Sequence, residues 1–330
     1  LMKKINIFLS ILIIFIIALF IFNPQVYSLS VLKGILLWAT ALLPTLFPFF
    51  FLTKILTELG AVNILANYLS RITKKLFNVG GIAGYVYIMS IISGYPVGAK
   101  LTAELYEHNL ISKEEAARIV TFTSTSGPLF IIGTVGIGMF LSRTAGIIIL
   151  CSHFLGAIIN GLIYRNYKYK KALADSKFEP VQKNLNTILS ESIYNSIISI
   201  LIVGGYVAIF YMLIDMLNNS NLLLPFKNMS AYLLNIFKKS PAFSEGLVNG
   251  IIEITRGCYD LSSLKAVSLS LCTITATFII SWGGLSIHMQ ALTFLCKCKI
   301  NIGFYFLQKL THAICSTIIC ILILLFFKPL

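Results

Sequence analysis

Long apolar runs recur along this chain of 330 residues, and they constrain its fold more than any other feature. The longest match the stretch of about 20 residues that an α-helix needs to cross the hydrocarbon core of a bilayer. Only 12% of the residues are charged, against about 25% in ordinary soluble domains. We therefore predict an all-α polytopic membrane protein embedded in a lipid bilayer. Its apolar segments cover 5–22, 32–53, 80–99, 117–141, 144–164, 193–217, 244–256, 266–292 and 303–327.

The positive charge of the chain follows a membrane pattern. The formal net charge is +14, which by itself would suit a phosphate-binding protein. However, the basic residues form short clusters between the apolar runs, as in the cytoplasmic loops of membrane proteins. We therefore predict no nucleic-acid partner. The clusters are Lys3 and Lys4; Arg71, Lys74 and Lys75; and Arg165, Lys168, Lys170 and Lys171.

The sequence motifs indicate no metal site, no cofactor site and no enzyme active site. Cys296 and Cys298 lack a His or a second Cys pair to complete a zinc site. The zinc-protease, P-loop and Gly-x-Ser-x-Gly signatures are missing as well. Ser126 precedes a glycine, as in some intramembrane serine proteases, but the sequence identifies no His as its base. We therefore expect the protein not to be an enzyme.

The longest polar stretch, residues 165–192, is basic and divides the chain near its middle. We interpret it as a cytoplasmic linker between two repeats, 31–164 and 193–330. An N-terminal transmembrane helix in 1–30 precedes them. We expect this helix to be retained, because its apolar run exceeds the core of a signal peptide and residues 26–28 form a poor cleavage site.

Two segments, 80–99 and 244–256, are predicted to be re-entrant hairpins. The basic clusters place the start of the helix 117–141 in the cytoplasm, so 80–99 must begin and end on that side, and Pro96 suits a bend. The segment 244–256 is short and charged, and it would enter from the opposite side. Single spanning helices are the alternative for both.

The stretch 220–240 has helical apolar spacing and is expected to lie along the membrane interface.

A weak internal similarity supports two repeats. A shift of 156 residues places "STSGPL" at 124–129 opposite "ISWGGL" at 280–285, the two most conspicuous breaks in the apolar helices. Inverted repeats with broken helices are typical of secondary transporters. We therefore predict an inverted repeat with two re-entrant hairpins and two broken transmembrane helices. The identical pairs are Thr121 and Thr277, Phe122 and Phe278, Gly127 and Gly283, Leu129 and Leu285, and Ile131 and Ile287.

The first break is explained by Pro128. Proline has no amide hydrogen and its ring clashes with the carbonyl four residues back, that of Ser124. Freed carbonyls are tolerated in a membrane only where protein or a watery cavity surrounds them. Beyond the break, Ser126 can cap a new helix whose N–H groups point toward the middle of the membrane. Such a site could hold a cation on its carbonyls and a carboxylate on its N–H groups; a simple proline kink is the alternative.

Other polar residues at membrane depth are further candidates. Glu253 and Arg256 share a helical face, where they either contribute to a site or pair with each other. Lys100 either attracts anions near the first hairpin or reaches the membrane interface. His288 follows the second break by about one turn, as a ligand-binding or a structural residue.

The block around residues 93–139 resembles a known family. It contains "SGYPVGAKLTAELYEHNLIS" and "EEAARIVTFTSTSGPLFIIGTVGIGMF". These stretches are similar to the sporulation integral membrane proteins of the nucleoside-recognition, or Gate-domain, superfamily. The likeness extends to "LLPTLFPFFFLTKIL" at 42–56 and "EGLVNGIIEITRG" at 245–257.

This resemblance implies a protein of the outer forespore membrane in the mother cell that moves dipicolinate toward the forespore. Each of the two half-helix N-termini could then take one carboxylate of this flat dianion. Arg256 or Lys100 would add charge-assisted hydrogen bonds, and Tyr95 or Trp282 would face the pyridine ring.

The leading hypothesis is therefore a secondary transporter of a small aromatic carboxylate. A nucleoside or other small-solute transporter and a non-transporting sporulation scaffold are the alternatives, and the oligomeric state is left open, a homo-oligomer included. The candidate substrate-binding residues are Ser93, Tyr95, Lys100, Thr123, Ser124, Thr125, Ser126, Gly127, Glu253, Arg256, Ser281, Trp282, Gly283 and His288.

Overall fold

Every regular element in the described part of the chain is helical. The computed structural model describes residues 2–169, 184–236, 240–264 and 267–327. The helices are α1 Met2–Phe22, α2 Pro24–Leu37, α3 Leu43–Glu58, α4 Ala61–Phe77, α5 Ile82–Ser93, α6 Val97–Glu107, α7 Lys113–Thr123, α8 Arg143–Ile163, α9 Leu185–Asn219, α10 Leu224–Ile236, α11 Phe243–Ile252, α12 Ile254–Ser262, α13 Leu269–Trp282, α14 Gly284–Leu295 and α15 Ile302–Phe327. Two π-helical segments, π1 Trp38–Leu42 and π2 Leu129–Met139, lie between α2 and α3 and between α7 and α8.

The prediction of a polytopic membrane protein is confirmed. Among the described residues, five helices are long and apolar enough to cross a membrane, or six if one bent pair counts as a span. That pair turns by 90° between Leu46–Glu58 and Val62–Phe77. The turn lies at Gly60, whose φ of +83° is a conformation that suits glycine.

Several predicted boundaries are wrong. Helix α2 begins at Pro24 rather than near residue 32, so only Asn23 separates it from α1. Helix α9 begins at Leu185, where Asn184 caps it by accepting from the Thr187 amide, so the last part of the predicted linker 165–192 is helical. Residues 170–183 of that linker lie outside the described residues.

The segment predicted to lie along the membrane interface, 220–240, contains helix α10. This helix buries none of its residues fully, and most of its large apolar side chains are exposed. An exposed apolar helix needs lipid or another protein around it. Its place at the interface stays a prediction, and residues 237–239 of the segment, including Lys238 and Lys239, lie outside the described residues.

Two pairs of short helices form antiparallel hairpins. In the second pair, Gly250 contacts Gly257 and Gly246 contacts Leu261, so contacts are placed symmetrically about residue 253. A Cβ on Gly257 would overlap the Gly250 backbone, which shows how closely α11 and α12 pack.

In the first hairpin, α5 and α6 contact each other through Ser90 and Gly98. The connecting turn is 94–96, so the hairpin covers 82–107 rather than the predicted 80–99. A helix as short as α5 is about 18 Å long, well under the thickness of about 30 Å of a hydrocarbon core. Neither limb can span a bilayer, although entry from opposite sides stays a prediction.

The order of elements repeats in the two halves of the chain. A helical hairpin (α5–α6 or α11–α12) is followed by an interrupted helix (α7–π2 or α13–α14) and then by a long helix (α8 or α15). The long helices contact each other closely, because a Cβ on Gly156 of α8 would overlap Ser316 of α15. Small residues allow such close contact between membrane helices. The two interruptions are thereby placed next to each other in the interior.

Candidate functional site

Both hairpin turns and the first helix break border one central cavity, and α14, which follows the second break, adds Ile287 and Gln290 to its wall. The space inside it, together with its opening to the surface, is about 630 Å³. Apolar side chains from α3, α9 and π2 complete the wall. The polar or turn-forming residues that line it are Ser93, Gly94, Tyr95, Ser126, Gly127, Glu253, Thr255 and Gln290. Irregular backbone from both halves of the chain therefore meets around one space.

The first break leaves carbonyl groups without helical partners, and other side chains bond to them. Helix α7 ends at Thr123, and π2 follows Pro128. The Ser124 carbonyl, which would have bonded to residue 128, accepts instead from Lys309 Nζ at 3.0 Å. The Thr121 carbonyl accepts from Asn160 Nδ2 at 2.7 Å. A lysine amine of the chain itself thus occupies the carbonyl at which the sequence suggested a bound cation.

Lys309 is completely buried in helix α15. Besides the Ser124 carbonyl, its Nζ lies 2.7 Å from the Tyr95 hydroxyl and 3.4 Å from His312 Nδ1. Within the described ranges, no carboxylate lies within 4 Å of this amine. Its positive charge is therefore stabilised by dipoles and not by an ion pair.

His153 connects the two breaks. Its Nε2 accepts from the Ser126 amide at 2.9 Å, and its Nδ1 lies 2.8 Å from Ser281 Oγ. Since Nε2 accepts, Nδ1 carries the hydrogen of the neutral ring and donates to Ser281. The expectation that this helix start presents bare N–H groups is therefore wrong for Ser126, whose amide already has a partner.

The arrangement of His153 also bears on catalysis. A general base must accept the proton of the hydroxyl that it activates. His153 instead donates to the Ser281 hydroxyl, and it contacts the backbone of Ser126 rather than its Oγ. Neither serine is therefore arranged as an activated nucleophile. Among the described residues, no group of three His, Cys, Asp or Glu side chains could hold a metal ion.

The second break is built from glycines. Gly283 ends α13 with a φ of +96°, and Gly284 follows with a φ of +65°. Such values strain any residue with a Cβ. The Lys309 side chain also packs beside Gly283. This break thus faces the same lysine as the first.

The turn of the first hairpin contacts the first break directly. Gly94 has a φ of +76°, and a Cβ there would overlap the Gly127 nitrogen. Next to it, the Tyr95 hydroxyl bonds to the Ile280 carbonyl at 3.3 Å. Ser93 is buried at the cavity wall, where its hydroxyl bonds to Thr53 at 3.1 Å.

Glu253 forms the turn of the second hairpin. It ends α11 and caps α12, accepting from the Arg256 amide at 2.7 Å and from the Thr255 hydroxyl at 3.1 Å. The positive end of the α12 dipole thus faces the carboxylate. The suggested pairing of Glu253 with the Arg256 guanidinium is wrong. That group bonds to Asp260 at 3.1 Å and Asp215 at 3.4 Å, within a separate ionic cluster.

Three further candidates lie away from the cavity wall. Lys100 donates to Ser199 Oγ at 2.8 Å in a second cleft, lined also by Lys54 and Glu104. Trp282 and His288 contact each other edge to face, with ring centroids 4.4 Å apart.

These two rings are held away from the cavity wall by other parts of the chain. The Trp282 indole donates to the Ile251 carbonyl at 3.2 Å, and His288 Nδ1 lies 3.4 Å from the Tyr305 hydroxyl. A role for Trp282 in facing a bound ring does not fit this position.

Two threonines of the first break are buried beside it. Thr123 donates to the Ile119 carbonyl at 2.9 Å within its own helix. Thr125 donates to the Ser90 carbonyl at 3.4 Å, so it ties the break to the first hairpin. Both therefore support the backbone of the break.

The sequence reasoning missed His153, Lys309 and His312. Lys309 and His312 stand in the last apolar run, where an ionisable residue indicates function by default. That signal was present in the sequence. The contact of Lys309 with the first break, by contrast, joins residues 185 positions apart, which no local pattern reveals.

Comparison with known proteins agrees with the sequence resemblance. The family described as Gate, nucleoside recognition, matches residues 39–159. The sporulation integral membrane protein YlbJ of Bacillus subtilis (strain 168) is 30% identical over 336 residues, which cover 96% of this chain and 81% of that relative. No solved structure matches the chain significantly.

Proposed function

Because the chain belongs to the family of the sporulation integral membrane protein YlbJ and contains a Gate-domain match, we propose that it is a secondary transporter of a small aromatic carboxylate. The favoured substrate is dipicolinate. The transporter would act in the outer forespore membrane of the mother cell and move its substrate toward the forespore.

The convergence of three irregular backbone segments on one cavity carries this proposal. Unwound backbone is expensive inside a membrane and persists where it surrounds a cavity or a bound solute. Broken helices that meet near the midplane are the usual substrate sites of secondary transporters. In this chain, Gly94, Gly127 and Glu253 belong to three such segments and line the same space.

The chemistry of the wall suits a flat solute with polar ends. The cavity is mainly apolar, with polar groups grouped at the hairpin turns and the first break. Tyr95 presents an aromatic ring to it and is held in place by the Lys309 ammonium. Glu253 opposes the binding of a dianion, because its carboxylate repels the negative charge of the substrate unless the α12 dipole offsets this repulsion.

A nucleoside is the second candidate substrate, since the matching family is described by nucleoside recognition. An apolar cavity with a few convergent polar groups suits a nucleoside as well. A scaffold without transport activity would have no need of the cavity. Its function would depend on the linker 165–192 instead.

Solute exchange by purified protein in liposomes tests the proposal. Vesicles loaded with unlabelled dipicolinate should take up labelled dipicolinate from outside, and excess nucleoside should not compete. Ser126→Leu should abolish exchange by filling the cavity, whereas Ser190→Leu on the exposed side of α9 should not. If nucleosides block the exchange, a nucleoside becomes the favoured substrate instead of dipicolinate. If the protein exchanges neither dipicolinate nor nucleosides, transport of both solute classes is refuted and a scaffold function is favoured.

A further inference from the structure

The position of Lys309 is unusual for a lysine in a membrane helix. It is seven residues into α15, about 10 Å along the helix axis from its start. A lysine near a helix end normally extends its amine toward water. This one is fully buried and its amine points to the broken backbone of another helix.

The hydrogen bonds around the amine fit its ammonium form. The Ser124 carbonyl can only accept. His312 Nε2 donates to the His153 carbonyl at 3.0 Å, so His312 Nδ1 accepts. The Tyr95 hydroxyl uses its hydrogen on the Ile280 carbonyl and therefore also accepts. These three acceptors match the three hydrogens of the ammonium form of Lys309.

The ammonium occupies the place of a coupling cation. In transporters with discontinuous helices, unwound carbonyl groups coordinate the Na⁺ or H⁺ that drives transport. Here the Ser124 carbonyl, freed by Pro128, is bonded to Lys309 Nζ at 3.0 Å. A metal cation could reach this carbonyl only by displacing the ammonium. A proton needs no such displacement, because the amine itself can carry it.

On the basis of the proposed transport function, we propose that Lys309 takes the place of a sodium ion at the first break and carries the proton that drives transport. Facing one side of the membrane, the ammonium gives its proton to water, and nitrogen keeps the electron pair. Facing the other side, the amine takes a proton from water. One proton thus crosses the membrane for each cycle.

The connection to the substrate runs through Tyr95. Its ring lines the cavity, its hydroxyl accepts from Lys309 at 2.7 Å, and the ammonium lies 4.8 Å from the ring centroid. A solute that shifts Tyr95 therefore changes one of the three bonds that hold the ammonium. Conversely, loss of the proton frees the Ser124 carbonyl and loosens the break. Binding of the solute and protonation of Lys309 can in this way both change the conformation of the first break.

The other ionisable groups around Lys309 come from every helix packed against it. His153 faces it from α8, His288 from α14, and Tyr305 and His312 from α15 itself. Helix α13 contributes Cys272 as its only ionisable side chain, and Glu253 faces the cavity on the far side of Tyr95.

The remaining neighbour, α7, has its charged residues in the part that leads up to Arg118, six residues before Ser124. The Arg118 guanidinium donates to the Tyr167 carbonyl at 3.2 Å, away from the break. Lys309 is thus the cationic side chain on the freed Ser124 carbonyl.

The test compares ion gradients in the same liposomes. A pH gradient in sodium-free choline medium should drive dipicolinate accumulation, by up to about tenfold per pH unit and coupled proton. A sodium gradient at equal pH should drive none. Accumulation driven by sodium alone would overturn the inference.

Two substitutions of Lys309 distinguish a side chain that carries the transported proton from a cation that only holds the backbone of the break. Lys309→Arg keeps a cation on the Ser124 carbonyl but cannot release a proton. It should retain solute exchange at equal pH and lose accumulation driven by the pH gradient. Lys309→Met should lose this accumulation as well. The matched control Lys297→Met, at an exposed pair with Glu107, should change neither activity. Full pH-driven accumulation by Lys309→Arg would overturn the inference.

A measurement without substrate keeps the two proposals apart. Thermal unfolding of the purified protein should be the same in NaCl and in choline chloride of equal concentration, because Lys309 already occupies the freed Ser124 carbonyl. Saturable stabilisation by Na⁺ would refute the role of Lys309 whatever the substrate. Absence of dipicolinate exchange in the wild type would refute the proposed function and leave this result valid.

Discussion

At the scale of single residues, His153 and Lys309 form the centre of the site. They are 156 positions apart, the same shift that aligns Gly127 with Gly283. Each extends from the long helix that follows a break, and each bonds to the backbone of the first break. The same shift of 156 residues therefore relates a basic side chain in each half of the chain.

Replacing His153 tests its role as the connection between the breaks. His153→Leu is expected to lower stability by about 1–3 kcal/mol, because the buried Ser126 amide would lose its acceptor. Thermal unfolding in detergent checks this, with Ile159→Leu on the exposed face of the same helix as control. A His153→Leu protein as stable as the wild type would contradict the assignment.

Gly94 tests the contact between hairpin and break. Gly94→Ala is expected to destabilise the protein by about 1–3 kcal/mol and to impair exchange, since its Cβ would overlap the Gly127 nitrogen at a positive φ. Gly205→Ala is the matched control, because a Cβ there meets nothing within 4 Å. That change should be neutral or stabilising, by up to about 1 kcal/mol. Equal unfolding temperatures for the two variants would disprove the close contact.

At the scale of elements, the local signals of the sequence were partly sufficient. Pro128 correctly indicated an interrupted helix, because a missing amide hydrogen acts on its own neighbours. Glycines and Pro96 likewise indicated the first hairpin, although its second limb extends to Glu107. Whether the Trp282 side chain faces the cavity was not predictable. The helix face that meets a cavity is determined by packing against helices far away in the chain.

The turn of the second hairpin offers a test of substrate charge. Glu253→Gln removes a negative charge from the cavity wall, while its side-chain oxygen can still accept from the Arg256 amide. If the substrate is a dianion, its affinity should rise about tenfold, the size of a like-charge repulsion across several ångströms of protein. Competition binding with dipicolinate and a nucleoside measures this. Unchanged dipicolinate affinity, or a rise for the nucleoside instead, would argue against a dianionic substrate.

At the scale of the whole molecule, elements that follow the same order in both halves of the chain contribute to one central cavity. The class of the protein followed from the apolar runs, because hydrophobic thickness fixes helix length. The meeting of the two breaks did not follow from the sequence, since it depends on how α8 packs against α15 through Gly156 and Ser316. Opposite orientation of the halves stays a prediction.

The linker distinguishes transport from scaffolding at this scale. A variant shortened between residues 170 and 183 should retain dipicolinate exchange in liposomes, because each half supplies its hairpin and broken helix without it. Its exchange rate should stay within about twofold of the wild type, whereas Ser126→Leu should show none. The reverse pattern, with activity dependent on the linker and tolerant of Ser126→Leu, would favour a scaffold.

The most direct test of the central claim is calorimetric titration of dipicolinate into the purified protein. The account predicts one saturable site per chain in the wild type and none in Ser126→Leu, with the Ser190→Leu control unchanged. Binding of equal strength in Ser126→Leu would place the solute elsewhere and contradict the claim that the two hairpin turns and the first break enclose its site.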